Sequence, residues 1–367
     1  MTGRVAERIL ICRPDHLGDV LLTLPAVAAL RAAFPGAYIG LVLDCSTADV
    51  ASRCPDVDER FALPFPPLTH TDPGADWARE VTDTAKDLRG RYDLVILSRP
   101  EDPWSAGLAA AAGIPIRVGY AIPGTECFLT HAIPLREDLH AAMQTLRLAQ
   151  EAARCLGVSP AGEAAMTESL RSLAQVRFVP TADEEALAEH VLSEALSAGA
   201  RPIVLQPGSG WPLKNWAAER WGGLGTEIRR RWGVTVLVPG APGESALVGA
   251  VVESGKGSCF GLAERFSVGA LAALYRRSSL VIGIDSGALH LAALVGARII
   301  GLYGPAPHRL WHPWCPPQRY RVVRVSLPCS PCDCIFDPPC GIALDPPCMA
   351  GITVEAVMHA AAELLSQ

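Results

Sequence analysis

The sequence is short of charge, of basic excess and of long apolar runs, and each shortage excludes a class of function. Only 19% of the 367 residues are charged, while 50% are hydrophobic. That composition builds a large packed core and argues against a disordered chain. The formal net charge is −6. A nucleic-acid binder that relies on bulk positive charge carries the opposite sign, so no nucleic-acid partner is expected. A local basic pocket for phosphates remains compatible with that balance. No secretory signal is visible, because the apolar run Ile9–Cys12 is broken at once by Arg13 and Asp15. The stretch Val20–Leu30 lies between Asp19 and Arg31 and is too short to span a bilayer. A soluble cytoplasmic protein is expected, with surface contact to a membrane left open. Two nucleotide signatures are also missing. The order G-x-x-x-x-G-K-[ST] does not occur at the glycine-rich loop before Lys214, and the first βα turn has no G-x-G-x-x-G, which lowers a dinucleotide oxidoreductase.

What is present is an alternation of apolar strands and Ala-rich helices. Strands are expected at Arg8–Arg13, Tyr38–Asp44, Asp93–Ser98 and, more weakly, Arg117–Tyr120. Helices are expected at about Asp19–Phe34, with Pro25 bending or delaying it, and at Trp104–Ala112 and His140–Leu156. The second half repeats the pattern. It has strands at Pro202–Gln206, Val234–Pro239, Leu280–Ile284 and Ile299–Tyr303. Its helices fall at Ala217–Trp232, Ser267–Arg277, Leu289–Val295 and Thr353–Ser366. Strands alternating with helices predict α/β domains, each a doubly wound parallel sheet covered on both faces. The length suits two such domains, facing one another across a cleft at their strand carboxyl ends. Pro64–Pro73 and Arg99–Pro103 read as exposed loops. Gly157–Pro160 and the patternless stretch up to Pro180 read as the boundary. Residues 1–175 then form one domain, 176–350 the second, and 351–367 a closing helix. Thr181 and Glu184 read as a capping box.

The most informative segment is VIGIDSGALHLAALVGARIIGLYGP, residues 281–305. It reads as strand, polar turn, helix and strand, with Asp285, Ser286 and Gly287 just past the first strand and His290 on the helix. Open α/β sheets bind ligands at that end of the strand, and free N–H groups at a helix start favour anions. An ordinary capped turn reads equally well from this unit alone. R-P-D-H-L-G-D, Arg13–Asp19, occupies the first βα turn. A carboxylate at Asp19 would be stabilised by the helix dipole and would have access to a substrate hydroxyl, as a general base requires. It reads equally as an N-cap, and Asp15 competes for the same role. P-G-S-G-W-P-L-K-N-W, Pro207–Trp216, follows another strand. Ser209 and Gly210 offer hydrogen-bond donors and Lys214 a point charge, a set that can cradle a diphosphate or simply form a solvent loop. Glu244, in P-G-A-P-G-E, could accept ribose hydroxyls or merely start a helix.

Of 12 cysteines, seven are scattered and read as small buried hydrophobes. Five cluster between Cys329 and Cys348 in a cysteine-rich tail, residues 329–348. Cys329, Cys332, Cys340 and Cys348 could form a four-thiolate zinc or iron site, with Cys334 an alternate ligand or a bystander. The spacing lacks the second C-x2-C of a zinc ribbon. Disulfides and metal-free packing are the other readings.

Taken together, four blocks resemble the bacterial lipopolysaccharide heptosyltransferases of glycosyltransferase family 9. They are RPDHLGDVLLTLPAVAALRAAFP, LQPGSGWPLKNWAAERW, GIDSGALHLAALVGARIIGLYGP and the tail CSPC…C…CMAGITVEAV, in that order along essentially the whole chain. The resemblance implies the GT-B fold. It implies inverting transfer of a heptose from ADP-heptose to a sugar hydroxyl of the lipopolysaccharide inner core, with no catalytic metal. It implies Asp19 as base, Lys214 on the diphosphate, Glu244 on the ribose, and Asp285, Ser286, Gly287 and His290 at the donor sugar and phosphates. Ser209 and Gly210 match the family's phosphate donors only loosely. The partners implied are a nucleotide sugar and a lipid-linked or oligosaccharide acceptor, with peripheral contact at the inner membrane. Some relatives that modify proteins hold iron with a cysteine-rich tail, so the tail does not fix the acceptor. The alternatives are another nucleotide sugar, a protein acceptor, an epimerase or hydrolase on the same fold, or a non-catalytic scaffold.

Overall fold

The structure is a computed structural model describing residues 8–65, 76–157, 178–195, 201–334, 337–342 and 344–366. The chain divides into two compact units, Met1–Arg177 and Phe178–Gln367. The expected loop at Pro64–Pro73 falls mostly outside the described residues, as does the expected boundary stretch after Gly157.

In the first unit the elements run β1 (Arg8–Cys12), α1 (Leu17–Ala33), β2 (Tyr38–Asp44), β3 (Glu59–Leu63), α2 (Asp76–Leu88), β4 (Leu94–Leu97), α3 (Pro103–Ala111), β5 (Ile116–Tyr120), β6 (His131–Ile133) and α4 (Ala141–Cys155). The six strands form one parallel sheet in the order β3-β2-β1-β4-β5-β6. Four consecutive residues of β1, Ile9 to Cys12, are fully buried, as are all four of β4. Side chains alternate across a strand, so burial of both sets means both faces are covered. Leu10, Cys12, Val95 and Leu97 pack with Leu88, Trp104 and Leu108 from α2 and α3. The alternate residues therefore face the side of α1 and α4, which pack on each other.

The second unit runs α5 (Ala182–Ala195), β7 (Ile203–Gln206), α6 (Ala218–Trp232), β8 (Val236–Gly240), α7 (Ser245–Ser254), β9 (Cys259–Ala263), α8 (Val268–Arg277), β10 (Leu280–Ile284), α9 (Gly287–Leu294), β11 (Ile299–Tyr303), α10 (His308–Trp311), β12 (Tyr320–Arg324), α11 (Pro347–Ala350) and α12 (Val354–Leu365). Its sheet is also parallel, in the order β12-β11-β10-β7-β8-β9. Numbered from its own first strand, this is the strand order of the first unit. α5 opens with the expected capping box: Thr181 N–H donates to Glu184 Oε2 at 2.9 Å and Glu184 N–H to Thr181 Oγ1 at 3.3 Å. Val357, Met358, Ala361 and Leu364 of α12 join the core built from β7, β8, β10 and β11 with α6. Trp216 stands edge-on to Trp221, ring centroids 5.0 Å apart, and donates its indole N–H to Ile352 O at 3.1 Å.

Two local expectations need correcting. The first helix starts at Leu17, before the expected Asp19, so Pro25 lies inside it and does not delay its start. The helix after β10 starts at Gly287, two residues earlier than its apolar pattern implies.

Candidate active site

In each sheet the strand order reverses beside the first strand, between β1 and β4 and between β7 and β10. The loops that leave a doubly wound sheet on either side of such a point diverge, and the crevice between them holds ligands. Asp19 follows β1 at the first of these points, and Lys214 and Asp285 follow β7 and β10 at the second, while Glu244 follows β8.

In the first unit Asp19 is the third residue of α1, and the N-cap is His16, whose side chain makes no capping bond. Asp19 is therefore not the cap. Its Oδ1 accepts from Arg13 Nη2 at 2.9 Å, and its side chain is 21% exposed. Asp15, the competing carboxylate, is buried between two guanidinium groups. Oδ1 accepts the His16 N–H at 2.9 Å and pairs with Arg99 Nη1 at 2.8 Å; Oδ2 lies 3.4 Å from Arg13 Nε. Burial pushes the Asp15 carboxyl above its ordinary range, with Asp19 adding to the rise and Arg13 and Arg99 opposing it. Of the two carboxylates, Asp19 is the more exposed, at 21% against 10% for the side chain of Asp15. Arg13 was not singled out from the sequence, although it stands in the same motif.

In the second unit the loop after β7 folds into a 3₁₀ turn, Pro212–Lys214. That turn carries Lys214 Nζ to 2.6 Å from Asp285 Oδ2, at the far side of the switch point after β10. Both side chains are largely buried. Ser286 caps α9 without a side-chain capping bond, and its buried hydroxyl has no partner among the described residues. Gly287 opens the helix. His290 lies one turn on, its buried Nδ1 likewise without a partner. Burial lowers its pKa to about 4; Asp285 opposes the fall, while His312 and Lys214 add to it. His290 is thus a neutral imidazole at neutral pH.

Glu244 stands at the N-cap of α7, after β8, and its Oε2 accepts the Ala241 N–H at 2.8 Å. Its carboxylate lies against the Cα of Gly208: a Cβ there would sit 2.0 Å from Glu244 Oε1. So the loops after β7, β8 and β10 bring Gly208, Lys214, Glu244 and Asp285 into one region. Ser209 differs from the expectation of a free donor. Its hydroxyl donates to Trp211 O at 2.8 Å and accepts the Trp211 N–H at 3.1 Å, so it ties the loop to itself. Gly210 faces open space.

The cysteine-rich tail docks on the carboxyl end of β11. Ser330 Oγ donates to Gly304 O at 2.7 Å, and Asp333 N–H to Pro305 O at 3.0 Å. This brings Asp333 within electrostatic reach of Lys214 and Asp285. No sequence signal pointed to it, since it sits among cysteines and belongs to no motif. The four cysteines expected to share a metal, Cys329, Cys332, Cys340 and Cys348, all lie in this tail. Cys348 is buried within α11, Cys329 and Cys340 are exposed and Cys332 is half-buried, with Cys332 and Cys340 within electrostatic reach of Cys348. Among the described residues no group of three or more His, Cys, Asp or Glu side chains is arranged to hold a metal.

The family described as glycosyltransferase family 9 (heptosyltransferase) matches residues 81–338, well over half of the chain. The chain belongs to glycosyltransferase family 9. It is a glycosyltransferase of the heptosyltransferase type, and its fold is GT-B. A curated relative, lipopolysaccharide heptosyltransferase 3 of Escherichia coli (strain K12), is 26% identical over 312 residues, covering 81% of this chain and 82% of the relative. The family 9 glycosyltransferase of Veillonella parvula superposes with a TM-score of 0.78 at 24% identity, covering 98% of this chain and 97% of that one. An E. coli heptosyltransferase solved with ADP gives 0.71 at 22% identity, covering 97% and 99%. Within this family 9 chain, no helix among the described residues is long and apolar enough to cross a membrane.

Proposed function

We propose that this protein transfers a heptose from ADP-heptose to a sugar hydroxyl of the lipopolysaccharide inner core, with inversion at the anomeric carbon. The observation that carries the reading is the Lys214–Asp285 pair, 2.6 Å apart across the switch point of the second unit. A lysine held at that place by a carboxylate is ready to turn to a diphosphate. Asp285, itself an anion, suits the sugar hydroxyls better than the phosphates. Ser286 and the first N–H groups of α9 suit the phosphates, and Glu244 suits the ribose hydroxyls. Support for an ADP-linked donor comes from relatives solved with ADP and with an ADP-linked fluoroheptose.

Asp19 takes the proton of the acceptor hydroxyl as the oxygen attacks the anomeric carbon. The bond from that carbon to the β-phosphate oxygen breaks, and ADP leaves with the electron pair. Lys214 and the α9 N-terminus stabilise the charge that develops on it. No metal is needed in this scheme. Donor and lipid-linked acceptor meet at the cytoplasmic face of the inner membrane, where the protein acts peripherally.

Two measurements test the reading. A donor panel of ADP-heptose against UDP-, GDP- and dTDP-sugars should show transfer from ADP-heptose alone; faster transfer from another nucleotide sugar rejects the donor assignment. Asp19→Ala should abolish transfer and leave ADP binding nearly unchanged. Equal loss of both would make Asp19 structural.

A further inference from the structure

The transfer scheme leaves Arg13, Asp15 and Arg99 without a task, yet all three are linked to Asp19. Arg13 is 7% exposed, and both terminal nitrogens of its guanidinium donate hydrogen bonds. Nη1 donates to Ser98 O at 2.6 Å, Nη2 donates to Asp19 Oδ1 at 2.9 Å, and Nε faces Asp15 Oδ2 at 3.4 Å. Asp15 is held in turn by Arg99 at 2.8 Å. The two guanidinium groups lie among three carboxylates, since buried Asp102 is within electrostatic reach of Arg99 and Asp15. We infer that Arg13 is a positioning residue for the transfer: it holds one oxygen of Asp19 and so aims the other at the acceptor hydroxyl.

The inference rests on Asp19 being the base. The asymmetry of the cluster carries it. The Asp15 side chain is buried between two guanidinium groups at 10% exposed, whereas that of Asp19 is 21% exposed and its Oδ2 receives no hydrogen bond among the described residues. The chain of contacts begins at a backbone carbonyl of the loop after β4 and ends on one open carboxylate oxygen. A guanidinium is a rigid planar fork, so anchoring Nη1 on Ser98 O fixes the direction in which Nη2 points. An aspartate in the first turn of a helix would otherwise sample several rotamers, and a base must stand in one geometry to meet a reacting hydroxyl. The transferred proton goes to Oδ2 while Oδ1 stays on Arg13, so the cluster needs no rearrangement during the step.

The test is steady-state transfer by the full chain carrying Arg13→Met, Arg13→Lys or Asp19→Asn, with ADP-heptose and acceptor, alongside melting curves. Arg13→Met should lower kcat about 100-fold and leave the donor KM within about twofold, because only the geometry of the reacting groups is lost. Arg13→Lys keeps the charge without the fork and should recover about tenfold of that loss. A loss in donor KM alone overturns the inference. So does a folded Arg13→Met or Arg13→Lys with the wild-type kcat beside an inactive Asp19→Asn. If Arg13→Met does not fold, the kcat of Arg13→Lys decides. Wild-type activity in Asp19→Asn rejects the base assignment itself, a separate result.

Discussion

His290 shows how burial sets the charge of a residue that the sequence places at the donor. Burial in the first turn of α9 lowers its pKa to about 4, so it carries no proton at neutral pH. The unfolded chain takes up a proton near the ordinary histidine value of 6.5; the folded chain does not until about pH 4. The unfolded state therefore binds more protons in that window. The stability that His290 contributes is complete above pH 6.5 and drains away as the pH falls toward 4. Between pH 7.5 and pH 5 the loss amounts to about 2 kcal/mol. Urea unfolding of wild type and of His290→Gln at those two pH values isolates it. The variant should show a smaller drop than wild type by about that amount; an equal drop in both would mean that His290 is already protonated in the fold.

At the level of elements, the missing strands follow a rule. The four strands not predicted, Glu59–Leu63, His131–Ile133, Cys259–Ala263 and Tyr320–Arg324, are the four sheet edges. Central strands are buried on both faces and read as continuous apolar runs, such as Leu280–Ile284, whose bounds were read correctly. An edge strand is half solvated, short and mixed, and β3, ERFAL, carries two charges in five residues. The site was legible where it lay in motifs, as with Asp19, Lys214 and Asp285. The Lys214–Asp285 contact spans 71 positions and depends on β7 pairing with β10, which no local pattern encodes. The Gly208–Glu244 approach is of the same kind and can be tested. The carboxylate occupies the space a Cβ would fill at Gly208. Since the obstacle is the end of a flexible side chain, Gly208→Ala should fold with a melting temperature within about 2 °C of wild type while displacing Glu244. Losing charge-assisted hydrogen bonds to the ribose should then weaken ADP binding about tenfold. Calorimetric titration showing wild-type affinity would remove Glu244 from the nucleotide site.

At the scale of the whole molecule, the two units repeat one strand order but divide the work. Each has its own packed core. Lys214, Glu244, Asp285, Ser286 and His290 all belong to the second unit, and Asp19 and Arg13 to the first. Under the proposed scheme, donor affinity and proton transfer can therefore be damaged independently. A ligand that binds only the folded state stabilises it by RT ln(1 + [L]/Kd), or about 2.7 kcal/mol at a hundred times Kd. For a unit of this size that corresponds to a rise of roughly 5–10 °C in melting temperature. Asp19→Ala should show the full rise, because nothing it removes touches the nucleotide. Lys214→Ala gives up a charged contact worth about 1.5–3 kcal/mol. At the same ADP concentration the stabilisation falls to about 0.3–1.3 kcal/mol, and the rise should shrink to roughly 1–4 °C. Melting curves of the three proteins with and without ADP separate the outcomes. A full rise in Lys214→Ala would mean that the lysine serves Asp285 and not the diphosphate. The loss of the rise in Asp19→Ala would mean that the donor depends on the first unit as well, and that binding and proton transfer are not divided between the units.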